Sequence, residues 1–248
     1  MFPLPEGEDG AWIASARRLP NFVCDAVFRI EPSFYVGPAN GMTALEWETA
    51  NVRLPPLNLP RQFADRVTTS ELLGQEGTLA DHYRRLITIA DAHAKTASLT
   101  PFPYFRTQPA IIVNDEVVTE FSWNDDMHET STILEIFADS SGGAPRLLHW
   151  DVDQGWQIMI VATESETCFI EWDGEGPPPP TGGYAVESAA LTVQARAALD
   201  RLRTNHDRLV QEFGQDYWTY RPPPSPVRPV NRWRSFLGRL LSASRSYR

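Results

Sequence analysis

Residues 108–173 read QPAIIVNDEVVTEFSWNDDMHETSTILEIFADSSGGAPRLLHWDVDQGWQIMIVATESETCFIEWD, and this stretch holds four of the eight tryptophans. Between positions 115 and 175, fifteen Asp and Glu residues stand against one basic residue, Arg146, which gives a local net charge of −14. Alternation of apolar and acidic residues is typical of an antiparallel sheet with one packed face and one solvated face. We therefore expect this sheet to carry a strongly negative wall that faces water.

The strand predictions follow from period-two alternation and from turn residues between apolar runs. Asn114-Asp115 separates two apolar runs and is typical of a hairpin with a tight turn. The last three runs of the segment follow one another closely, which predicts a meander. The predicted strands cover residues 21–30, 45–49, 110–113, 116–121, 132–138, 146–152, 156–163 and 167–172.

Helices are predicted where apolar residues recur at intervals of three and four. The clearest helix covers residues 187–213, and Gly214 stands where a glycine that ends a helix is expected. A second helix is predicted at 78–94 with Thr78 as its N-cap, and a short one at 61–73. The sequence thus predicts an α+β fold, in which an antiparallel meander sheet is covered by two or three helices.

Charge and proline content divide the chain into three predicted parts. Residues 1–220 carry a net charge of −17 and form a predicted single α+β domain, whereas residues 221–248 carry seven Arg and no acidic residue. Residues 221–230 contain Pro222-Pro223-Pro224-Ser225-Pro226, which is typical of a stiff, extended linker. Residues 231–248 are predicted to be a basic amphipathic tail. The acidic domain and the basic tail are expected to attract each other unless each has another partner.

The tail has apolar residues on one side of a short predicted helix and arginines on the other. This pattern suits a groove on a partner protein or a membrane surface with anionic head groups. Docking on the acidic domain of the same chain, or a disordered end, is the simpler interpretation. The residues that would dock are Arg232, Trp233, Arg234, Phe236, Leu237, Arg239, Leu240 and Leu241.

Histidines and carboxylates near the middle of the acidic stretch form a candidate metal site. His149, Asp151 and Asp153 alternate along a predicted strand and would project from one face, and His128 lies in an earlier predicted loop with Asp125, Asp126 and Glu129. Imidazole and carboxylate ligands suit Zn²⁺ or Mn²⁺, so a metal-dependent hydrolase is an alternative function. The spacing matches no established metal motif, and a solvated negative sheet face explains the same residues.

Most catalytic signatures are missing from the sequence. The chain has no G-x-S-x-G elbow, no phosphate-binding P-loop and no G-x-G-x-x-G after a strand, so neither an enzyme nor a cofactor is predicted. Cys24 and Cys168 lie in apolar surroundings and are predicted to be free buried thiols. The start of the chain does not resemble a secretory signal, and a cytoplasmic location is expected. Nucleic-acid binding by the folded domain is disfavoured because its negative surface would repel phosphates.

These features favour a non-catalytic acidic protein that binds a basic protein, since complementary charge speeds association. A bacterial-type inhibitor or immunity protein that neutralises a basic toxin or nuclease is the leading hypothesis. The alternatives are the metal-dependent hydrolase and a peripheral membrane adaptor anchored by the tail, and the oligomeric state stays open. The expected partner contacts are Asp125, Asp126, Glu129, Trp150, Asp151 and Asp153.

Overall fold

The computed structural model describes residues 4–5, 7–37, 43–96, 99, 103–121, 125–153, 155–174 and 176–220. The predicted linker and tail therefore lie outside the described residues. In the part that is described, no helix is long and apolar enough to cross a membrane.

Eleven strands and five α-helices are described, together with a 3₁₀ turn at Gly7–Gly10. The strands are β1 Arg17–Arg18, β2 Val23–Arg29, β3 Ser33–Tyr35, β4 Asn51–Arg53, β5 Arg66–Thr68, β6 Thr107–Val113, β7 Glu116–Thr119, β8 Arg146–Asp153, β9 Trp156–Ala162, β10 Glu166–Asp173 and β11 Tyr184–Glu187. The helices are α1 Ala11–Ser15, α2 Ala44–Thr49, α3 Glu76–Ala92, α4 Met127–Ala138 and α5 Ser188–Phe213.

The described strands form three sheets. The first, which we call sheet A, has the order β1-β11-β10-β9-β8, and the second, sheet B, has the order β5-β2-β6-β7. Strands β3 and β4 form a small hairpin of their own. All pairings are antiparallel except that of β1 with β11. The predicted α+β class is confirmed, and the predicted meander is β8-β9-β10.

The predicted hairpin is formed by β6 and β7. Its turn residues Asn114 and Asp115 have φ of 49° and 66°. Two left-handed residues in a two-residue loop match the twist of an antiparallel hairpin, and Asn and Asp tolerate that conformation better than most residues.

Two predicted strands and one predicted helix are wrong. Residues 45–49 lie in α2, because Thr43 and Glu46 form a reciprocal capping box that favours a helix. Residues 132–138 lie in α4, whose first turn is capped by Asp126. In the stretch 61–73, a short strand, β5, forms instead of a helix because it pairs with β2. Helix α3 also begins at Glu76, so Thr78 is inside it and is not its N-cap.

Sheet A is covered by apolar residues on both faces, which contradicts the expected water-facing wall. One face contributes Ile158, Ile160 and Phe169 to the main core shared with sheet B and the helices. The other face packs against Trp12 of α1. This packing is close, since a Cβ atom on Gly183 would lie 2.5 Å from Trp12 Cε3 and only glycine fits there. The alternation of β9 and β10 therefore separates two cores and not a core from solvent.

A buried ion pair joins helix α5 to sheet B. Asp25 of β2 has no exposed surface, and it accepts hydrogen bonds from Ser70 N at 3.1 Å and from Arg201 Nη2 at 3.0 Å. Thr69 Oγ1 also donates to Asp25, and Arg201 Nε donates to Thr69 Oγ1 at 3.0 Å. One carboxylate thus connects β2, the turn after β5 and the middle of α5.

We expect Arg201→Met to lower the free energy of unfolding by about 3–5 kcal/mol, because it leaves the charge of Asp25 buried without its cation. The matched control is Arg203→Met on the same helix. Arg203 pairs with Glu135, and the two side chains are 48% and 53% exposed, so its loss should cost no more than about 1 kcal/mol. Urea unfolding measures both values, and equal losses for the two variants would contradict the role given to Asp25.

Candidate partner-binding site

Strand β8 forms the outer edge of sheet A and carries the largest exposed apolar side chains of that sheet. Trp150 and Val152 are 51% and 58% exposed. They lie two residues apart, opposite Met159 and Gln157 of β9, and so share one face. An exposed aromatic and aliphatic pair on an edge strand is unusual, since edge strands are normally protected against association with other chains. We call Trp150, Asp151 and Val152 the β8 surface.

The indole of Trp150 is held in place although half of it is exposed. Its Nε1 donates to Gln157 Oε1 at 3.2 Å. Gln157 is only 5% exposed, and its Nε2 donates to Gly174 O at 2.6 Å. The buried amide therefore fixes the exposed ring, which lowers the entropy that a partner must remove on binding. The sequence identified Trp150 but not Gln157, because a strand pattern does not show which glutamine will accept a hydrogen bond from an indole on the neighbouring strand.

Two carboxylates lie on the face of sheet A opposite to Trp150 and Val152, Asp151 within the β8 surface and Asp173 on β10. Asp151 is exposed, and its Oδ1 accepts a hydrogen bond from Val152 N at 2.8 Å. This bond occupies an amide of the edge strand with a side chain. Asp173 is exposed at the end of β10, next to Gly155 at the β8-β9 turn. Neither carboxylate forms an ion pair with any described Arg or Lys.

Two of the predicted contacts, Asp125 and Asp126, are buried, each 8% exposed. Asp125 pairs with Arg106 Nη2 at 2.8 Å, and burial raises the pKa of its carboxyl to about 6. Asp126 accepts hydrogen bonds from Glu129 N at 2.8 Å and from Tyr220 N at 3.0 Å. Asp126 thus caps the start of α4 and Asp125 is held by Arg106, and neither carboxylate is accessible to a partner.

Glu129 lies in the first turn of α4 and is half buried. Burial first, and then the charges of Asp126, Asp125 and Asp151, raise the pKa of its carboxyl to about 7. Four of the six predicted contact residues therefore interact electrostatically: Glu129, Asp125, Asp126 and Asp151. Trp150 and Asp151 face solvent, Glu129 is intermediate, and Asp153 is the last residue of β8.

Five of the fifteen acidic residues between positions 115 and 175 are paired with arginines that come from other elements. A count of charges within this stretch of sequence does not show the pairing, because the arginines lie before or after the stretch. The described pairs are Glu120 with Arg29 and Arg66, Asp125 with Arg106, Glu135 with Arg203, Asp139 with Arg196, and Glu166 with Arg18. The expected continuous negative wall is therefore reduced to separate carboxylates.

The candidate metal ligands His128, His149 and Asp151 form no metal-binding group among the described side chains. His128 is exposed on α4, whereas His149 lies on β8 with its Nε2 buried and without a partner. Burial lowers the pKa of the His149 imidazole. Among the side chains that the structure describes, no group of three His, Cys, Asp or Glu is placed to hold a metal ion. The predicted free thiols are confirmed, since Cys24 and Cys168 are both unpaired and buried.

Comparison with protein-family models, with curated proteins and with solved structures finds no match to this chain.

We expect Glu129→Gln to change the pH dependence of stability. The folded-state pKa of about 7 exceeds the ordinary value of 4.5, so the folded protein binds this proton more tightly than the unfolded chain. The free energy of unfolding should therefore fall as the pH rises from about 4.5 to about 7. Glu129→Gln removes this decline and stabilises the protein at pH 8 relative to the parent chain. Urea unfolding between these pH values measures it, and parallel curves for the two proteins would contradict the assignment.

Proposed function

We propose that this protein binds a basic partner protein through the β8 surface. The observation that carries this proposal is the half-exposed indole of Trp150, which is fixed by the buried Gln157 and lies beside the exposed Val152. Rigid aromatic side chains are the commonest energetic centres of protein interfaces. An apolar side chain of the partner covers Trp150 and Val152, and this burial supplies affinity.

The charge of the partner follows from two carboxylates on the opposite face of the same sheet, Asp151 opposite Ile158 and Asp173 opposite Trp156. Asp151 and Asp173 are exposed and have no cation among the described residues. Arg or Lys side chains of the partner pair with them, which favours rapid association and selects against acidic proteins. An inhibitor or immunity protein that neutralises a basic toxin or nuclease is the class we favour.

The mode of contact is also constrained by the strand edge. An extended segment of the partner can add to β8 as a further strand, a common mode of peptide recognition. The Asp151 carboxylate now occupies Val152 N, and a pairing strand replaces this bond with a backbone carbonyl. Asp151 then turns to a basic side chain. We also propose a cytoplasmic location, where the two free thiols stay reduced.

Partner capture from the native host tests the proposal with a matched pair of variants. Trp150→Ala removes the aromatic centre, whereas Val193→Ala shortens an apolar side chain that is 69% exposed on α5. We expect the parent chain and the Val193 variant to recover a basic protein at low salt and to lose it at high salt. Trp150→Ala should weaken binding of the purified partner by about thirtyfold, the effect of a 2 kcal/mol interface residue.

Two outcomes argue against this function. One is the recovery of a partner whose affinity is the same for Trp150→Ala and the parent chain, which would place the interface elsewhere. The other is a partner that is acidic, or whose binding is unchanged by salt, since the carboxylates would then contribute nothing. Circular dichroism and thermal unfolding of both variants exclude a loss of fold as the cause.

A further inference from the structure

A cleft lies between the β3-β4 hairpin and the loop 54–64 that follows it. Its volume is about 670 Å³, which is within the range of sites for small molecules. One part of its wall is apolar and is formed by Ile30, Leu54, Pro55 and Pro56. None of the lining residues belongs to the β8 surface, so this cleft is a separate feature of the molecule.

Four charged side chains line the same cleft. Arg53 and Arg61 are cationic and Glu31 and Glu48 are anionic. None of the four takes part in an ion pair or side-chain hydrogen bond within the described ranges. Elsewhere in the protein, arginines are commonly paired with carboxylates, as Arg66 is with Asp65 and Glu120. The cleft thus holds two charges of each sign that are free to meet a ligand.

Arg61 is the group that makes this cleft a candidate binding site. Its Nη1 atom is buried and has no hydrogen-bond partner among the described residues. A buried donor without an acceptor is costly, but this atom has no surface toward the cleft, so a ligand meets Arg61 through the exposed remainder of its half-buried side chain. The planar guanidinium matches the two oxygens of a carboxylate. The field of Arg61 reaches the neighbouring His82, whose pKa is lowered to about 4 first by burial and then by Arg61 and Arg85.

An arginine can bind a phosphate or a carboxylate, and the equal number of positive and negative side chains in the cleft favours one of them. A phosphate carries more negative charge, and Glu31 and Glu48 would repel it. A zwitterion places its carboxylate at Arg61 and its ammonium group at the glutamates, and it leaves the net charge of the cleft unchanged. The apolar wall suits an aliphatic body between the two charged ends.

We propose that the cleft bounded by Arg61, Glu31, Glu48 and Leu54 binds a small zwitterion with an apolar body, of the size of a dipeptide. The carboxylate of the ligand is bound by Arg61, its ammonium group by Glu31 or Glu48, and its apolar side chains by Leu54 and Pro55. This site is independent of partner binding at β8, and Trp150→Ala leaves it intact.

Isothermal titration calorimetry with the full chain and the dipeptide leucyl-leucine tests the site. We expect saturable binding with a stoichiometry of one. N-acetyl-leucyl-leucine lacks the ammonium group and leucyl-leucinamide lacks the carboxylate, so both should bind at least about tenfold more weakly. Inorganic phosphate is the fourth probe and should not bind. Binding of phosphate in place of the dipeptide, or no binding of any probe, overturns the proposal.

Variants locate the site. Arg61→Gln should abolish saturable binding of leucyl-leucine, and Arg61→Lys, which keeps the charge but loses the planar fork, should weaken it at least about tenfold. Arg85→Gln is the matched control, because Arg85 is exposed and lines the adjoining cleft beside His82 but not this one. Unchanged affinity in both Arg61 variants, or a loss of binding in Arg85→Gln alone, refutes the assignment. Thermal unfolding confirms that each variant is folded.

Discussion

The burial of both faces of sheet A is the constraint on which the accessible chemistry of this protein depends. The main core covers one face, and Trp12 with its neighbours covers the other. A sheet enclosed in this way meets solvent chiefly along its edges. Strand β8 forms one of those edges. Because the faces are covered, the central strands offer little apolar surface for contact. The exposed side chains of Trp150 and Val152 lie on the edge strand instead.

The same enclosure explains how the protein accommodates so many acidic residues in one stretch. Carboxylates next to the core are neutralised by arginines from distant elements, as Asp125 is by Arg106 and Glu166 by Arg18. Asp25 shows the extreme case, since it is wholly buried and linked to Arg201 across 176 positions of sequence. Asp151 of the edge strand β8 and Asp173 at the end of the central strand β10 have no such partner among the described residues. The exposed indole of Trp150 therefore has carboxylates near it that no described arginine neutralises.

Several elements follow from local sequence, and the reasons are local too. Helix α5 has a regular apolar stripe and ends at Gly214 with φ of 66°. The β6-β7 hairpin follows from Asn114 and Asp115. Residues 132–138 form a short apolar run, which periodicity alone cannot assign to strand or helix. The Asp126 cap decides that case, and its role becomes clear only when its hydrogen bonds are known.

The candidate sites were predictable in part. Trp150 and Asp151 follow from the pattern of β8, but the sequence does not show that Asp125 and Asp126 are buried, since both belong to an acidic run that is typical of a surface. The arginine partners come from elements far along the chain, so a local charge of −14 overstates the field at the surface. The cleft at Arg61 was not predictable, because its charges come from residues 31, 48, 53 and 61, which no motif connects.

Protonation of Glu129 links the fold to the charge of the β8 surface. Burial is the main cause that raises the pKa of Glu129 to about 7, and the charge of Asp151 contributes in the same direction. Below pH 7 Glu129 is mostly neutral, and Asp151 is the principal negative charge of that neighbourhood facing solvent. Above pH 7 Glu129 ionises and adds a second charge behind it. Under the proposed function, a cationic partner at the β8 surface would stabilise the ionised form, lower the pKa of Glu129 and release a proton near neutral pH. The buried start of α4 and the exposed edge of β8 thus act as one electrostatic unit.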